Sequence, residues 1–456
     1  MPRLEHDLIG ELAIPDGVLY GIQTERARLN FKAAGRPVHP ALIAAMAQVK
    51  LACAKTNAEC GFLPRDTTDA IVCACEAILR GGHQDQFVTD ALQGGAGTST
   101  NMNVNEVVAR LASQQLGRSV DPFDHVNLHQ STNDTYPTAL RVAAITLLRQ
   151  LEPVVVRLQE AFQAKEREFA DVVKLGRTQL RDALPVTLGR EFGAYATALT
   201  RDRWRIFQCI ERLRVVNLGG TAVGTGMNAP RKYIFGVVEK LRDVTGLNLA
   251  RAENLMDATQ NQDALVEVSG ILRAHAVNLV KIARDLRLMS SGPEGGFGEI
   301  ELPAIQPGST LMPGKVNPVI PEMVIQAAYR VMAHDHEVSL VVMSGELELN
   351  AFLPLAADAL LDSLDLLRRT DAAFAELCVI GIVARIDCCR RTMEKSHEIL
   401  AALIPKIGHE KVVEVARLMR ERAMTIREAV RETGGVPDAE LDEWLSTERL
   451  CELGWK

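Results

Sequence analysis

The chain has 456 residues, of which 47% are hydrophobic, 24% charged and 4% aromatic, with a net charge of -7. That is enough apolar material for two or three domains, and few aromatics beside abundant Ala and Leu favour closely packed helices. The acidic balance excludes the broad basic field of a nucleic-acid binder, so an anionic substrate has to be held by local cations and helix ends.

Met1-Pro2-Arg3-Leu4-Glu5-His6-Asp7 shows no basic stretch leading into an apolar one, so no secretory leader is expected. No uncharged apolar run reaches the roughly 18 residues of a membrane span, so no membrane partner is expected either. The nine cysteines are scattered; Cys73-Ala74-Cys75 and Cys388-Cys389 lack zinc-ligand spacing, and no CxxC occurs. Reduced, mostly buried thiols in a cytoplasmic protein are the expectation.

Before residue 93 the pattern is mixed. Residues 93–105 then form a polar, Gly- and Thr-rich interruption beginning Gln93-Gly94-Gly95-Ala96-Gly97-Thr98-Ser99-Thr100-Asn101. Its glycines let backbone amides approach an anion, although a Gly-rich turn alone is weak evidence. Residues 129–138 hold Gln130-Ser131-Thr132-Asn133-Asp134 and Tyr136-Pro137-Thr138, read in isolation as a capping cluster before a helix. That helix carries an apolar stripe from Leu140 through Ala144, Leu147, Leu151, Leu158 and Phe162, with Pro153 expected to kink or break it.

A shorter polar stretch, residues 176–185, contains Gly176-Arg177-Thr178-Gln179-Leu180. A second stripe follows at Leu188, Phe192, Tyr195, Leu199, Ile206, Ile210 and Leu213, and its Arg-rich neighbours at 201–214 read as a solvated face. Leu265, Val268, Leu272, His275, Leu279, Ile282, Leu286 and Met289 step by threes and fours, the seam of a heptad repeat. These stripes outrun the usual three or four helical turns. They predict a mainly α fold with a long central helical bundle. Soft boundaries near 130 and 382 divide the chain into an N-terminal domain (1–130), a central bundle domain (131–381) and a small C-terminal domain (382–456).

The longest interruption, residues 292–321, contains Gly308-Ser309-Thr310-Leu311-Met312-Pro313-Gly314-Lys315-Val316-Asn317-Pro318. Two glycines and two prolines mark a loop, which alone would be an unremarkable polar connection to a helix near Glu322. It lies between strongly apolar seams, however, and places a hydroxyl six residues before a lysine. That spacing allows a turn rich in backbone amides to sit beside a cation, which an alkoxide or carboxylate needs. His334 and His336 are two apart on a predicted helix and face different ways, a poor metal pair. His275, in an apolar seam, reads as a satisfied core histidine.

In this order, the four polar segments resemble those of the aspartase/fumarase superfamily, and GSTLMPGKVNP looks like its signature loop. The likeness runs from Asp7-Leu8-Ile9-Gly10 and Leu19-Tyr20-Gly21 to Thr425-Ile426-Arg427-Glu428. It implies a three-domain, mainly α fold in a homotetramer whose sites are shared between three subunits. It also implies a small dicarboxylate or amino-acid substrate and no metal or organic cofactor. Ser309 matches the family's catalytic base, acting as an oxyanion; Lys315 and Asn317 match positions that bind one carboxylate. Thr98, Ser131, Thr132 and Thr310 match positions around the carboxylate that becomes an enediolate, and Asn133 and Thr178 match those facing the leaving group. The chemistry agrees: removing a Cβ proton beside a carboxylate creates a dianion that needs several aimed donors. A serine hydroxyl is too weak an acid to serve unless loop amides and the Lys315 charge stabilise its alkoxide.

Within the superfamily, residues 256–263 and 345–350 look more like aspartases. Gln179 stands where fumarases carry histidine, and Asp121 and Phe123 where their secondary anion site would have His and Asn. Elimination of ammonia from aspartate to give fumarate is therefore the leading expectation. Thr310 in place of a serine, Leu128 in place of Lys, Glu294 in place of Arg and Ala351-Phe352 in place of Val-Met depart from the pattern. They keep open an elimination on an N-substituted or betaine-type amino acid. Fumarase chemistry and a non-enzymatic structural relative are the remaining alternatives, the last opposed by the retention of Ser309, Lys315 and Asn317.

Overall fold

A computed structural model of the chain describes residues 2–394, 396–434, 436–452 and 454. A hairpin of β1 (Arg3–Asp7) and β2 (Gly10–Ile14) precedes α1 (Ile22–Asn30), α2 (Pro40–Glu59), α3 (Arg65–Leu79) and α4 (Thr98–Leu116). The long helix α5 (Thr132–Glu168) leads into a second hairpin, β3 (Val173–Thr178) and β4 (Arg181–Thr187), and then α6 (Leu188–Leu213). After α7 (Arg231–Thr245) and α8 (Leu255–Gln260) come the long helices α9 (Asp263–Met289), α10 (Val319–Met343) and α11 (Leu353–Leu377). Short helices, among them α12 (Ile386–Glu394) and α13 (His409–Arg422), complete the chain. Strands pair only in two-stranded ladders among the described residues. The protein is mainly α, as the stripes predict.

Two compact units share this chain. The first comprises Met1–Pro153, Asp202–Ala276 and Ala327–Arg369; the second comprises Val154–Arg201, Val277–Gln326 and Thr370–Lys456. Each of α5, α6, α9, α10 and α11 contributes residues to both. In the first unit, Ala-rich α2 packs against α3, α4 and α7, because its small side chains let three neighbours approach. In the second, Phe162 lies 5.9 Å from Phe192, 5.8 Å from Tyr195 and 6.0 Å from Phe374, tilted or edge-on. Such pairs contribute about 0.5–1.5 kcal/mol each beyond area burial.

The apolar stripes are buried except at Ile210, which is partly exposed, and all eight seam positions of α9 are 5% exposed or less. His275 is fully buried with Nδ1 3.0 Å from the Asp202 carboxylate, a core histidine with a partner. His334 is buried against Ser363 and His336 is exposed, on different faces of α10. Among the described residues, no group of three His, Cys, Asp or Glu side chains is arranged to hold a metal, and no helix is long and apolar enough to cross a membrane.

Two expectations are corrected. Of the expected kink or break at Pro153, the break does not occur: α5 runs through both Pro137 and Pro153. A proline in a helix costs roughly 3 kcal/mol, and burial of Leu148, Leu151, Val155 and Leu158 around it offsets that. Residues 98–105, read as part of a polar connection, are the first two turns of α4. Thr, Ser and Asn are weak helix formers, but here Met102, Val104, Val107 and Val108 bury a face that compels the helix.

Candidate active site

In the first unit, two helix starts carry the polar segments. Gly95, Ala96 and Gly97 are all left-handed, with φ of 89°, 55° and 92°, and α4 begins immediately after them. Glycine is required at 97, since a Cβ there would lie 2.2 Å from the Tyr136 ring. Exposed Thr98 donates its hydroxyl to the Gly95 carbonyl at 2.8 Å, and buried Gln93 accepts from the Thr100 amide and hydroxyl, both at 3.0 Å. The aligned peptide dipoles of α4 leave positive potential at this end.

Ser131, Thr132 and Asn133 open α5. The Ser131 hydroxyl accepts from the Asn133 amide at 3.2 Å, and the Asp134 carboxylate accepts from the Ser131 amide at 3.0 Å, a reciprocal cap. The other Asp134 oxygen accepts from the Gly219 and Thr221 amides at 3.1 and 3.0 Å. Asn133 donates its side-chain amide to the Ala222 carbonyl at 2.8 Å, and the Asn217 amide donates to the Asn133 carbonyl at 2.9 Å. The turn at residues 217–222 thus seats the Ser131–Asn133 triplet. Sequence reading missed it, although the cluster Gly219, Gly220, Gly224 and Gly226 was a visible signal.

Beneath the triplet lies a fully buried lysine. Lys50 donates to the Asn127 and Gln130 side-chain carbonyls at 3.0 and 2.8 Å, and burial pulls its pKa down to about 8. Burial pushes Asp134 up to about 6, against its three amide donors and the Lys50 charge. Leu128, one of the departures, serves through its backbone: its carbonyl accepts from Asn57 and Gln130.

The second unit holds the other two segments. Thr178 and Gln179 lie at the β3–β4 turn, where Thr178 pairs with Arg181 and both side chains are exposed. In the residue 308–318 loop, the Ser309 hydroxyl oxygen accepts from the Leu311 and Met312 amides at 3.1 and 2.9 Å. The Gly308 amide donates to the Lys315 carbonyl at 2.7 Å, and Asn317 donates its side-chain amide to the Gly308 carbonyl at 2.6 Å, closing the loop. A Cβ at Gly308 would meet the Asn317 nitrogen and the Lys315 oxygen at 2.7 Å, so this closure needs glycine. Thr310 and Lys315 are exposed, and the Lys315 ammonium has no ion pair or hydrogen bond among the described residues. A half-buried hydroxyl oxygen facing two amides, on a loop with an unengaged cation, can hold negative charge.

The structure therefore groups Thr98, Ser131, Thr132 and Asn133 in one unit, and Thr178, Gln179, Ser309, Thr310, Lys315 and Asn317 in the other. Of the remaining departures, Glu294 and Phe352 are exposed, Phe352 by 51%.

Comparison with known proteins bears on both halves. A family model described as lyase matches residues 10–333, and one described as fumarase C C-terminus matches 399–452. The aspartate ammonia-lyase of Pseudomonas canavaninivorans is 44% identical, the match covering 98% of this chain and 96% of that one. The fumarate lyase:delta crystallin of Brucella melitensis, solved bound to cobalt, superposes with a TM-score of 0.95 at 45% identity over 99% of each chain. The class II fumarase of Schistosoma mansoni shares the fold at a TM-score of 0.92, covering 99% of each chain, but only 31% identity.

Proposed function

Because this chain belongs to the aspartase/fumarase lyase family, we propose that it eliminates ammonia from L-aspartate to give fumarate. It is a carbon–nitrogen lyase. The observation that carries the reaction type is the Ser309 oxygen, which already accepts two loop amides. As an alkoxide it takes the Cβ proton, and the C–H electron pair moves into the adjacent carboxylate as an enediolate. Collapse of the enediolate forms the C=C bond and breaks the C–N bond, and the amine departs with its pair. Thr98, Ser131, Thr132 and Thr310 donate to the enediolate, Lys315 and Asn317 bind the other carboxylate, and Asn133, Thr178 and Gln179 face the leaving amine.

Ammonia rather than water follows from Gln179. A neutral amide cannot act as acid or base near pH 7 as histidine can, and hydroxide is the poorer leaving group. The higher identity to an ammonia-lyase than to a fumarase agrees, 44% against 31%. Further parts of the reading are the domain division 1–130, 131–381 and 382–456, a cytoplasmic homotetramer, and sites each drawn from three subunits.

Ultraviolet absorbance of the new conjugated acid tests the proposal across aspartate, malate, N-substituted aspartates and amino-acid betaines. Aspartate should be the best substrate and exceed malate by at least about a hundredfold, the low end of what a missing general base costs. Preference for malate would replace the reading with fumarase chemistry. Preference for a substituted amine would instead give meaning to Thr310, Leu128, Glu294 and Phe352.

A further inference from the structure

The turn carrying Thr178 and Gln179 is strained. Gln179 (φ 53°) and Leu180 (φ 60°) fill the two central positions of a two-residue hairpin, both in the left-handed region. Asn-Gly or Asp-Gly normally occupies such a turn. Two consecutive side-chain-bearing residues there persist only where neighbouring structure over-determines them, and such strain gathers at functional sites. Leu180 is 65% exposed, so its own packing does little to hold the turn.

Immediately before the turn, Arg177 Nη1 donates to Glu299 Oε1 at 2.6 Å, and its guanidinium lies 4.1 Å from the Phe297 ring centroid. Glu299 is fully buried. Its other oxygen lies 3.2 Å from Lys174 Nζ, without the alignment of a hydrogen bond, while Lys174 donates to Glu191 at 2.8 Å. Glu299 is also fixed by its main chain, since its carbonyl accepts from the Arg385 amide at 2.8 Å. The next two residues, Ile300 and Glu301, pair with Val383 and Ala384. This anchored strand is the root of the segment that reaches Ser309. A register shift between Leu175 and Arg177, at Gly176, interrupts the β3–β4 ladder just where Arg177 makes its contact.

We propose that Arg177 and Glu299 are positioning residues: their buried pair clamps the Thr178–Gln179 turn to the root of the Ser309 loop. One carboxylate then holds the leaving-group contacts against a root that its pairing with Val383 and Ala384 fixes independently. This rests on the functional reading above, and it predicts a division between chemistry and carboxylate binding. Succinate offers both carboxylates and no leaving group, so its binding reports Lys315, Asn317 and the Ser131–Thr132 donors without the turn.

Arg177→Lys keeps a cation for Glu299 but removes the planar fork stacked on Phe297. In the full-length protein it should lower kcat for aspartate by tenfold or more and change the succinate inhibition constant less than threefold. Arg177→Ala should fall further, so that lysine gives partial rescue. Hydrogen–deuterium exchange at the amides of residues 178–181 should accelerate in both variants. Unchanged kcat and unchanged exchange in Arg177→Lys would overturn the clamp. So would equal losses in kcat and succinate binding, the mark of a general structural defect. If the unmutated protein binds succinate but releases no ammonia from aspartate, the aspartate reading fails instead, and exchange at the turn still decides the clamp.

Discussion

Ser309 carries the chemistry of the proposal, and its surroundings give it a measurable signature. Two amides converge on its oxygen, and both would stabilise a negative charge formed there. Replacing Ser309 with Ala removes the base and leaves Lys315 and Asn317 in place. We expect kcat for aspartate to drop by about 10²–10⁴-fold, the scale of a positioned base, while succinate inhibition persists. Turnover above half the unmutated value would take the role from Ser309. The loop was legible because GSTLMPGKVNP resembles the signature loop of the family. Its internal closure was not, since the Asn317 to Gly308 bond depends on a chain reversal that spacing alone does not dictate.

At the scale of elements, the start of α5 joins sequence and tertiary structure through Asp134. Its carboxylate caps the helix locally and also accepts two amides from the turn at residues 219–221, some 85 residues away. Burial raises its pKa from 3.8 to about 6, so the folded protein binds this proton more tightly than the unfolded chain does. The stability this contributes is fully present below about pH 4 and is lost as pH rises through about 6. Relative to Asp134→Asn, the unmutated protein should therefore lose about 3 kcal/mol between those limits, from two units at 1.4 kcal/mol each. Urea-denaturation curves of both proteins at several pH values measure that difference. A difference that stays flat across this range would mean that Asp134 titrates as an ordinary carboxyl.

For the whole molecule, the proposal draws each site from three copies of the chain. Thr98 and Ser131–Asn133 belong to one compact unit, Thr178, Gln179 and Ser309–Asn317 to the other. In a homotetramer with each site drawn from three subunits, variants inactivated in different segments repair one another. Ser309→Ala and Thr132→Ala proteins, mixed after unfolding and refolded together, should recover part of the activity that neither has alone. Light scattering should report a tetramer. A fully active monomer would defeat shared sites outright.

The sequence by itself determined the helical class. Apolar side chains every three or four residues can be buried only along one face of a helix, so the stripes of α5, α6 and α9 had a single outcome. The polar segments between them resembled the motifs of a known family, and that resemblance, not periodicity, pointed to the donors, the cation and the base. Tertiary structure decided whatever depended on distant partners. It carried α5 through Pro153 and drew residues 98–105 into α4, because burial of neighbouring apolar side chains outweighs local propensity. It also paired Asp134 with Gly219 and Arg177 with Glu299, 122 residues apart. A buried ion pair or amide bond depends on where two segments meet in space, and no local periodicity encodes that meeting.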